Sequence, residues 1–123
     1  MIFVFGSNEA GIHGAGAALH AVQHCGAIGG KGYGRQGNSF AIPTKNRKLL
    51  TLSPVTIQGY AHLFIAYAII NDKEEFQVTR IGCGLAGLRD EDMAPMFFDA
   101  PKNCLFDEAW KPWLPKKRFW GTF

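Results

Sequence analysis

The distribution of glycine limits how this chain can fold more than any other sequence feature. Of the 15 glycines, ten lie in residues 6–37 and three more lie in residues 82–87. Glycine weakens helices and strands because its backbone has more conformational freedom to lose, so both regions are expected to be mostly loops. The regular elements must therefore lie before, between and after these two regions.

Apolar runs outside the glycine-rich regions predict strands that alternate with helices. The predicted strands are residues 1–5, 39–42, 76–81 and 103–106, and the predicted helices are residues 15–24, residues 54–70 and a short helix that begins at residue 90. Parallel strands joined by helices form a sheet with a helical layer on each face. The predicted fold class is therefore α/β, with a mainly parallel sheet between helices in three layers.

Local signals predict the ends and the buried faces of the helices. Ser53 followed by Pro54 is typical of a helix start, because serine can cap the free N–H groups and proline fits the first turn. Asp90 is predicted to cap the third helix, with two further acids in its first turn. In the helix of residues 54–70, the apolar side chains at helical spacing that predict its buried face are Leu63, Phe64, Tyr67 and Ile70.

Positive charge is concentrated at the C-terminus. Residues 1–109 hold nine basic and ten acidic side chains, for a net charge of −1, whereas residues 110–123 hold four basic side chains and no acid. This basic, aromatic tail has the chemistry to bind nucleic acid through phosphate contacts and stacking. We favour a C-terminal strap of residues 110–123 whose aromatic side chains pack on a body formed by residues 1–109, while its lysines stay solvated.

Composition and cysteine usage argue against a membrane span and a disulfide framework. No apolar run approaches the roughly 18 residues that a span requires, and we find no export signal before the first strand. The three cysteines lack metal-binding spacing, which indicates reduced thiols in a cytoplasmic protein. His20 and His24 have the spacing of two zinc ligands but no third ligand, so they are expected to be solvated, and no metal or other cofactor is predicted.

One glycine motif is misleading. Residues 32–37, GYGRQG, match the Gly-x-Gly-x-x-Gly pattern of dinucleotide-binding proteins. That fingerprint requires a strand before it and a helix after it, so that the pyrophosphate lies on the helix N-terminus. Here the match lies within a loop and leads into a strand, and we reject it.

Two other segments follow a predicted strand and lead into a predicted helix. They are HGAGAAL, residues 13–19, and IGCGLAGLRD, residues 81–90, which we call the first and second glycine segments. Their main-chain N–H groups can surround an anion, and two such segments on neighbouring strands would hold a diphosphate from both sides. The alternative is that these glycines only permit tight turns and close packing. Because ligands collect at the carboxyl ends of parallel strands, we favour ligand binding.

Lys45 is the candidate reactive side chain. It follows the second predicted strand, in the stretch FAIPTKN of residues 40–46, and so belongs to the same edge of the sheet as the two glycine segments. A lysine in a partly desolvated site is a good nucleophile. The alternative is an ordinary solvated lysine in a basic loop with Arg47 and Lys48, and the sequence leaves both interpretations open.

Four features in order resemble a macro domain. They are Asn8, the first glycine segment, IPTK at residues 42–45 and RIGCGLAGL at residues 80–88, and the match spans roughly residues 1–107. The chain is most similar to the class that contains the terminal ADP-ribose protein glycohydrolase and the DarG-type DNA-ADP-ribosyl glycohydrolase antitoxins. The resemblance implies a macro-domain-like fold, shortened at its N-terminus, from a bacterium or a phage.

The resemblance also implies a ligand and a set of residues. Members of this class bind ADP-ribose, and a lysine at the position of Lys45 attacks the anomeric carbon of the distal ribose before ADP-ribose is released. Asn8 would lie near that ribose. The implied ligand-binding residues are Asn8, His13, Gly14, Ala15, Gly16, Ala17, Thr44, Gly82, Cys83, Gly84, Leu85, Ala86 and Gly87.

Two departures from the class bear on the activity. The protein-directed enzyme has a catalytic aspartate at the position of Ala86, whereas the DNA-directed antitoxins accept a small residue there. The acidic segment that contacts adenine in macro domains is expected to be missing, because the match begins too late to include it.

The function expected from these features is an ADP-ribosyl glycohydrolase that acts on a nucleic acid or on an acidic side chain of a protein. The first alternative is a module that binds ADP-ribose, or a related NAD-derived nucleotide, without turning it over. The second is a domain whose glycines serve packing alone. The oligomeric state is left open by the sequence.

Overall fold

Strands and helices alternate along the chain in the computed structural model, which describes residues 1–123. The strands are β1 (Ile2–Asn8), β2 (Gly34–Gln36), β3 (Ser39–Lys45), β4 (Phe76–Val78), β5 (Cys104–Asp107) and β6 (Arg118–Gly121). The α-helices are α1 (Gly16–His24), α2 (Pro54–Ile70) and α3 (Asp90–Met93), with 3₁₀ turns at Ala94–Phe97 and Glu108–Trp110. None of these helices combines the length and the apolar character needed to traverse a lipid bilayer.

The six strands form one sheet in the order β2-β3-β1-β4-β5-β6. All neighbours are parallel except β2, which pairs antiparallel with β3 at one edge. The predicted α/β class with a mainly parallel sheet is therefore confirmed. The sequence did not predict β2 and β6. β2 lies in a glycine-rich region expected to be loop, and its pairing with β3, more than its own propensity, makes it a strand.

Side chains alternate between the two faces of the sheet and form two apolar clusters. On β1, Phe3 and Phe5 belong to a cluster of five buried residues that includes Ala21 of α1. Ile2 and Val4 point the other way, into a cluster of 20 buried residues that includes side chains of α2 and α3. The sheet is thus covered by α1 on one face and by α2 and α3 on the other.

Residues 110–123 take part in both the core and the sheet. Trp110 is fully buried in the larger cluster, and β6 extends the sheet beyond β5. Trp120 donates from Nε1 to the carbonyl oxygen of Val78 at 2.9 Å. These contacts attach the tail to the body through its aromatic side chains.

Both β1 and β3 are longer than predicted, and their extensions reach the same edge of the sheet. β1 continues through Asn8, and β3 continues past Pro43 to Lys45. The register shifts at this point, so that Ser7 lies opposite Pro43 but Asn8 lies opposite Lys45. Such a bulge accommodates proline, which has no N–H to donate to the ladder.

The predicted start of α2 is confirmed, whereas the predicted cap of α3 is wrong. Ser53 Oγ accepts a hydrogen bond from the Thr56 N–H at 3.3 Å, and Pro54 opens α2. In α3 the N-cap is Arg89, and Asp90 is the first helical residue. The Asp90 carboxylate does not cap the helix because side chains from other elements bind it.

Several glycines of residues 6–37 serve packing between loops. A Cβ on Gly32 would overlap the carbonyl oxygen of Asn8, and a Cβ on Gly11 would overlap main-chain atoms of Gly30 and Lys31. Backbones that approach this closely leave no room for a side chain. In the sequence, the clustering of glycines favours ligand binding. Close packing of loops explains part of that clustering.

Replacing Gly32 with alanine is expected to lower the free energy of unfolding by about 2 kcal/mol or more, because the added methyl group forces two backbone segments apart. Gly29→Ala is the matched control, since a Cβ there meets no atom within 4 Å. Chemical denaturation of both variants measures the difference. An unfolding midpoint for Gly32→Ala equal to that of the control would contradict the packing role.

Candidate functional site

A cavity of about 580 Å³ opens at the edge of the sheet where four parallel strands end. The strands β3, β1, β4 and β5 are neighbours in that order, so the residues that follow them meet around one space. The cavity is lined by 22 residues, and its volume is within the ~300–1,000 Å³ typical of small-molecule sites. Its position and size make it the candidate functional site.

The cavity brings together 12 of the 14 residues that the sequence singles out. Those that line it are Asn8, Gly14, Ala15, Gly16, Ala17, Thr44, Lys45, Gly82, Cys83, Gly84, Leu85 and Ala86. His13 and Gly87 do not line it. Both glycine segments and the candidate lysine thus border the same space.

The first glycine segment leads into α1 and leaves main-chain donors free. The first N–H groups of a helix have no partner within it, and the N-cap residue Ala15 has no side chain to bind them. Gly16, Ala17 and Ala18, which open the helix, all border the cavity. Such a helix N-terminus favours an anion, because the free amides and the helix dipole act together.

The second glycine segment forms a tight loop between β4 and α3. A hydrogen bond from the Leu88 N–H to the Gly82 carbonyl oxygen, at 2.8 Å, closes this loop. The N–H groups of Gly84, Leu85 and Ala86 donate to no main-chain acceptor, and all three residues border the cavity. Three consecutive free amides are an arrangement suited to phosphate oxygens.

Gly14 and Gly84 leave open space where a side chain would lie. A Cβ built on either residue meets no atom within 4 Å, and neither residue has a positive φ. The fold therefore does not require glycine at these two positions. The missing side chains leave room for a ligand to approach the backbone of both segments.

Lys45 ends β3 at the bulge opposite Asn8 and borders the cavity. Its main chain is fixed, because its carbonyl oxygen accepts from the Glu9 N–H at 2.9 Å and its backbone bridges to Thr51. Its amine belongs to none of the five ion pairs. A fixed backbone and an amine without a carboxylate partner suit a nucleophile.

Asn8 and His13 have structural partners. The Asn8 side chain closes the loop after β1, since its Oδ1 accepts from the Ile12 N–H at 3.0 Å and its Nδ2 donates to the Ile12 carbonyl at 2.8 Å. His13 is buried edge-on against Phe5, and its Nε2 lies 3.1 Å from the Lys31 carbonyl oxygen. His13, one of the implied ligand-binding residues, is therefore buried and does not line the cavity.

A charged cluster fixes both ends of the second glycine segment. Arg80 donates to the Asp90 carboxylate from Nε at 2.8 Å and from Nη2 at 2.6 Å, and Trp110 donates to it from Nε1 at 2.7 Å. The hydrogen bonds from Arg80, and then the one from Trp110, outweigh burial and lower the pKa of Asp90 to about 2. Asp90 is therefore charged and ties the segment to the C-terminal tail.

Cys83 is poorly suited to act as a nucleophile. Burial, followed by the charge of Asp90, raises the pKa of its thiol to about 12. The thiol is therefore protonated at neutral pH, and it lies 3.6 Å from the Ile81 carbonyl oxygen, to which it donates. Because the thiolate is the reactive form, Cys83 serves packing under the loop.

Asp107 is the one carboxylate residue that borders the cavity. It is fully buried, and its Oδ1 accepts from the Ala109 N–H at 2.9 Å. Its Oδ2 accepts from Thr122 Oγ1 at 3.1 Å and from the Phe123 N–H at 3.2 Å. The Asp107 carboxylate thus holds the C-terminal residues in place, and these hydrogen bonds bring Phe123 to the cavity wall.

Ten lining residues are not among these 14 candidates, although Ala18 and Ile81 lie in the two glycine segments and Arg80 lies in the stretch RIGCGLAGL. They are Gly6, Ser7, Ile12, Ala18, Leu49, Thr79, Arg80, Ile81, Asp107 and Phe123. Most of them adjoin residues that were found, at the ends of β1 and β4. Asp107 follows a predicted parallel strand, so the same rule that singled out Lys45 also indicates it. For Leu49 and Phe123 the sequence offers no signal.

The two histidines with zinc-like spacing are packed among aromatic rings. The rings of His20 and His24 lie 4.8 Å apart between centroids, and His20 also contacts Phe3 and Phe123 at 4.9 and 5.2 Å. His24 is exposed, as expected for a solvated helix histidine, whereas His20 is partly buried by these rings. No group of three or more His, Cys, Asp or Glu side chains is placed to hold a metal ion.

No protein-family model matches the chain, and the searches of curated proteins and of solved structures find no significant match.

Asp90→Asn is expected to lower the free energy of unfolding at neutral pH by about 1–2 kcal/mol, because it weakens two charged hydrogen bonds. The low end of the range applies because the Arg80 side chain is 40 % exposed. The pKa of Asp90 in the folded protein lies below its ordinary value of 3.8. Its stabilisation is therefore present above pH 3.8 and is lost as the pH falls through about 2.

Denaturation of wild type and Asp90→Asn at pH 7 and near pH 2 measures this effect. Asp99→Asn is the control, since Asp99 is exposed and belongs to no ion pair. The difference between wild type and Asp90→Asn should shrink at the lower pH. A difference that stays constant would show that Asp90 is not the charged link.

Proposed function

We propose that this protein binds ADP-ribose in the cavity and removes it from a modified macromolecule with Lys45 as the nucleophile. The supporting observation is that free main-chain amides of both glycine segments and an unpaired lysine amine border one space. The proposal also draws on the resemblance of these segments to macro domains.

The amides suit the diphosphate of the ligand. A diphosphate carries negative charge and presents only acceptor oxygens, which match the free N–H groups at the start of α1 and in the second glycine segment. Lys45 ends β3, and the second glycine segment follows β4, with β1 between these strands. Two strand spacings separate them by about 10 Å. This separation accommodates a ribose between the lysine and the phosphates.

The reaction that follows is a displacement at the anomeric carbon of the distal ribose. The amine of Lys45 forms a bond to this carbon, and the bond to the base nitrogen or acyl oxygen breaks. A nucleobase takes up a proton from water as it leaves, whereas an acyl group leaves as its carboxylate. The sugar ring then opens to a protonated Schiff base on Lys45. Water adds to the Schiff base, ADP-ribose leaves, and the free amine is restored.

The carboxylates near the site favour a nucleic-acid substrate over a protein ester. Ala86 occupies the position of the aspartate in the protein-directed enzymes, and the carboxylate of Asp107 already accepts three hydrogen bonds. The cavity thus offers no free carboxylate to complete the protein-directed reaction. This composition is similar to that of the DNA-directed antitoxins, which rely on the lysine.

The same observation supports a second candidate function. A cavity with a cradle for phosphates and no free acid–base carboxylate also suits a module that holds ADP-ribose, or a related NAD-derived nucleotide, without turning it over. The two functions differ in what Lys45 does, and not in how the diphosphate is bound.

Lys45→Ala is expected to reduce ADP-ribose release from ADP-ribosylated DNA by at least about a hundredfold, because it removes the group that forms the covalent intermediate. Lys48→Ala, in the connection that follows β3 and outside the cavity, is the matched control. Parallel incubations with ADP-ribosylated protein identify the substrate class. Reduction with borohydride during turnover should leave an ADP-ribose adduct on Lys45, detected by mass spectrometry of the digested protein.

Three results would separate the candidate functions. Release of ADP-ribose by wild type and by Lys48→Ala, but not by Lys45→Ala, supports the glycohydrolase. Tight ADP-ribose binding by wild type and Lys45→Ala, with no release by either, supports the binding module. No thermal shift of the wild type at millimolar ADP-ribose would contradict both functions and leave packing as the role of the glycines.

Gly84→Ala is expected to weaken ADP-ribose binding by about tenfold or more without changing the unfolding midpoint. The added methyl group meets no protein atom, so its effect must come from the ligand that approaches the backbone. Titration calorimetry measures the affinity, and Gly29→Ala, also in open space but outside the cavity, is the control. Equal affinities for the two variants would exclude the second glycine segment from the phosphate site.

A further inference from the structure

Helix α2 presents an apolar face to solvent. Its 17 residues include no Asp, Glu, Lys or Arg. The side that packs on the sheet consists of Ile57, Ala61, Phe64, Ile65 and Ala68. On the opposite side Val55 is 80 % exposed, Leu63 53 %, Ile69 56 % and Ile70 79 %. The prediction that Leu63 and Ile70 belong to the buried face is therefore wrong.

This exposure is unusual for a helix on the outside of a domain. Surface helices normally carry charged residues on their outer side, and a helix that is apolar all round is normally buried on all sides. A contiguous apolar face left open on a surface marks an interaction site more often than isolated exposed residues do. The outer face of α2 therefore has the character of a contact surface.

We propose that the outer face of α2 binds the same face of a second copy of this chain, in an antiparallel arrangement. A twofold axis passes between residues 62 and 63. Each residue before this point then faces, on the partner helix, the residue that lies equally far beyond it. The exposed pairs that result are Val55 with Ile70, Gly59 with Ala66, and His62 with Leu63. The spacing of the exposed residues is thus the same in both directions from the axis.

That symmetry is what a two-fold contact requires. In such a contact both subunits use the same surface. Each residue pair therefore occurs twice, once on each side of the axis. Here the small residues Gly59 and Ala66 meet each other and allow the helices to approach closely. The larger Val55 and Ile70 meet at both ends of the contact. The face is therefore complementary to itself in shape.

Charge at the two ends of α2 favours the antiparallel direction. The connection before α2, residues 46–53, carries Arg47 and Lys48 without an acid, whereas residues 71–75 after it hold three acids and one lysine. Two of those acids pair with arginines of the same chain, and the exposed Asp72 and Lys73 belong to no ion pair. In the antiparallel arrangement, segments with opposite formal charge, +2 before α2 and −2 after it, lie at both ends of the contact, and α2 itself carries no Asp, Glu, Lys or Arg between them.

The area of the face predicts a weak dimer. A helix of 17 residues is about 26 Å long and about 10 Å wide, which gives a footprint of about 260 Å². Stable interfaces cover about 800 Å² on each partner. The contact is therefore concentration-dependent and dissociates on dilution.

Sedimentation velocity over micromolar to millimolar concentration tests the proposal, with the chain free of ligand. Wild type should shift from monomer to dimer as concentration rises. Leu63→Glu and Leu63→Lys should each weaken dimer formation by at least about tenfold, because each places like charges beside the axis. Val22→Glu, at an exposed apolar position of α1, is the matched control and should dimerise as wild type does.

Mixing the two variants decides the geometry. Because Leu63 lies beside the axis, an equal mixture of Leu63→Glu and Leu63→Lys brings opposite charges together, and a heterodimer should form where neither variant dimerises alone. This recovery also shows that both variants are folded. A wild type that stays monomeric at millimolar concentration, variants that dimerise unchanged, or a mixture that fails to pair would each overturn the proposal.

Discussion

Parallel pairing of β1 with β3 on one side and with β4 on the other is the constraint on which the rest of this structure depends. Parallel strands end at a common edge, so three segments that are distant in the sequence are delivered to one place. Gly6 on β1 allows this closeness, because a Cβ there would lie 3.2 Å from the Gly82 main-chain nitrogen. A larger residue at this position would press on the second glycine segment.

The side chains around the cavity have mostly local tasks, and the main chain is left for a ligand. Asn8 closes the loop after β1, Asp90 links the ends of the second glycine segment, and Asp107 holds the C-terminal residues. Their polar groups are occupied, so the groups left free at the cavity include main-chain amides and the Lys45 amine. Amides held in place before a ligand arrives need no reorganisation to bind it, which is the advantage of a rigid phosphate site.

The cavity and the outer face of α2 depend on different parts of the chain. The cavity uses strand ends and glycine segments, whereas the proposed dimer uses the side of α2 that faces away from the sheet. β3 and α2 are joined by residues 46–53, which follow Lys45 directly. Self-association would therefore place a second subunit near the end of β3.

The sequence by itself determined the order of the main strands and helices, the start of α2 at Ser53 and the position of both glycine segments, because capping, apolar runs and glycine act over a few neighbouring residues. It also indicated Lys45, since the rule that ligands lie at strand ends needs only the order of elements. Tertiary structure alone decided that β2 and β6 are strands, that Asp90 binds Arg80 instead of capping α3, and which side of α2 is buried. Each of these depends on partners far away in the sequence, and α2 in particular is apolar on every side, so its own pattern carries no information about the direction it faces.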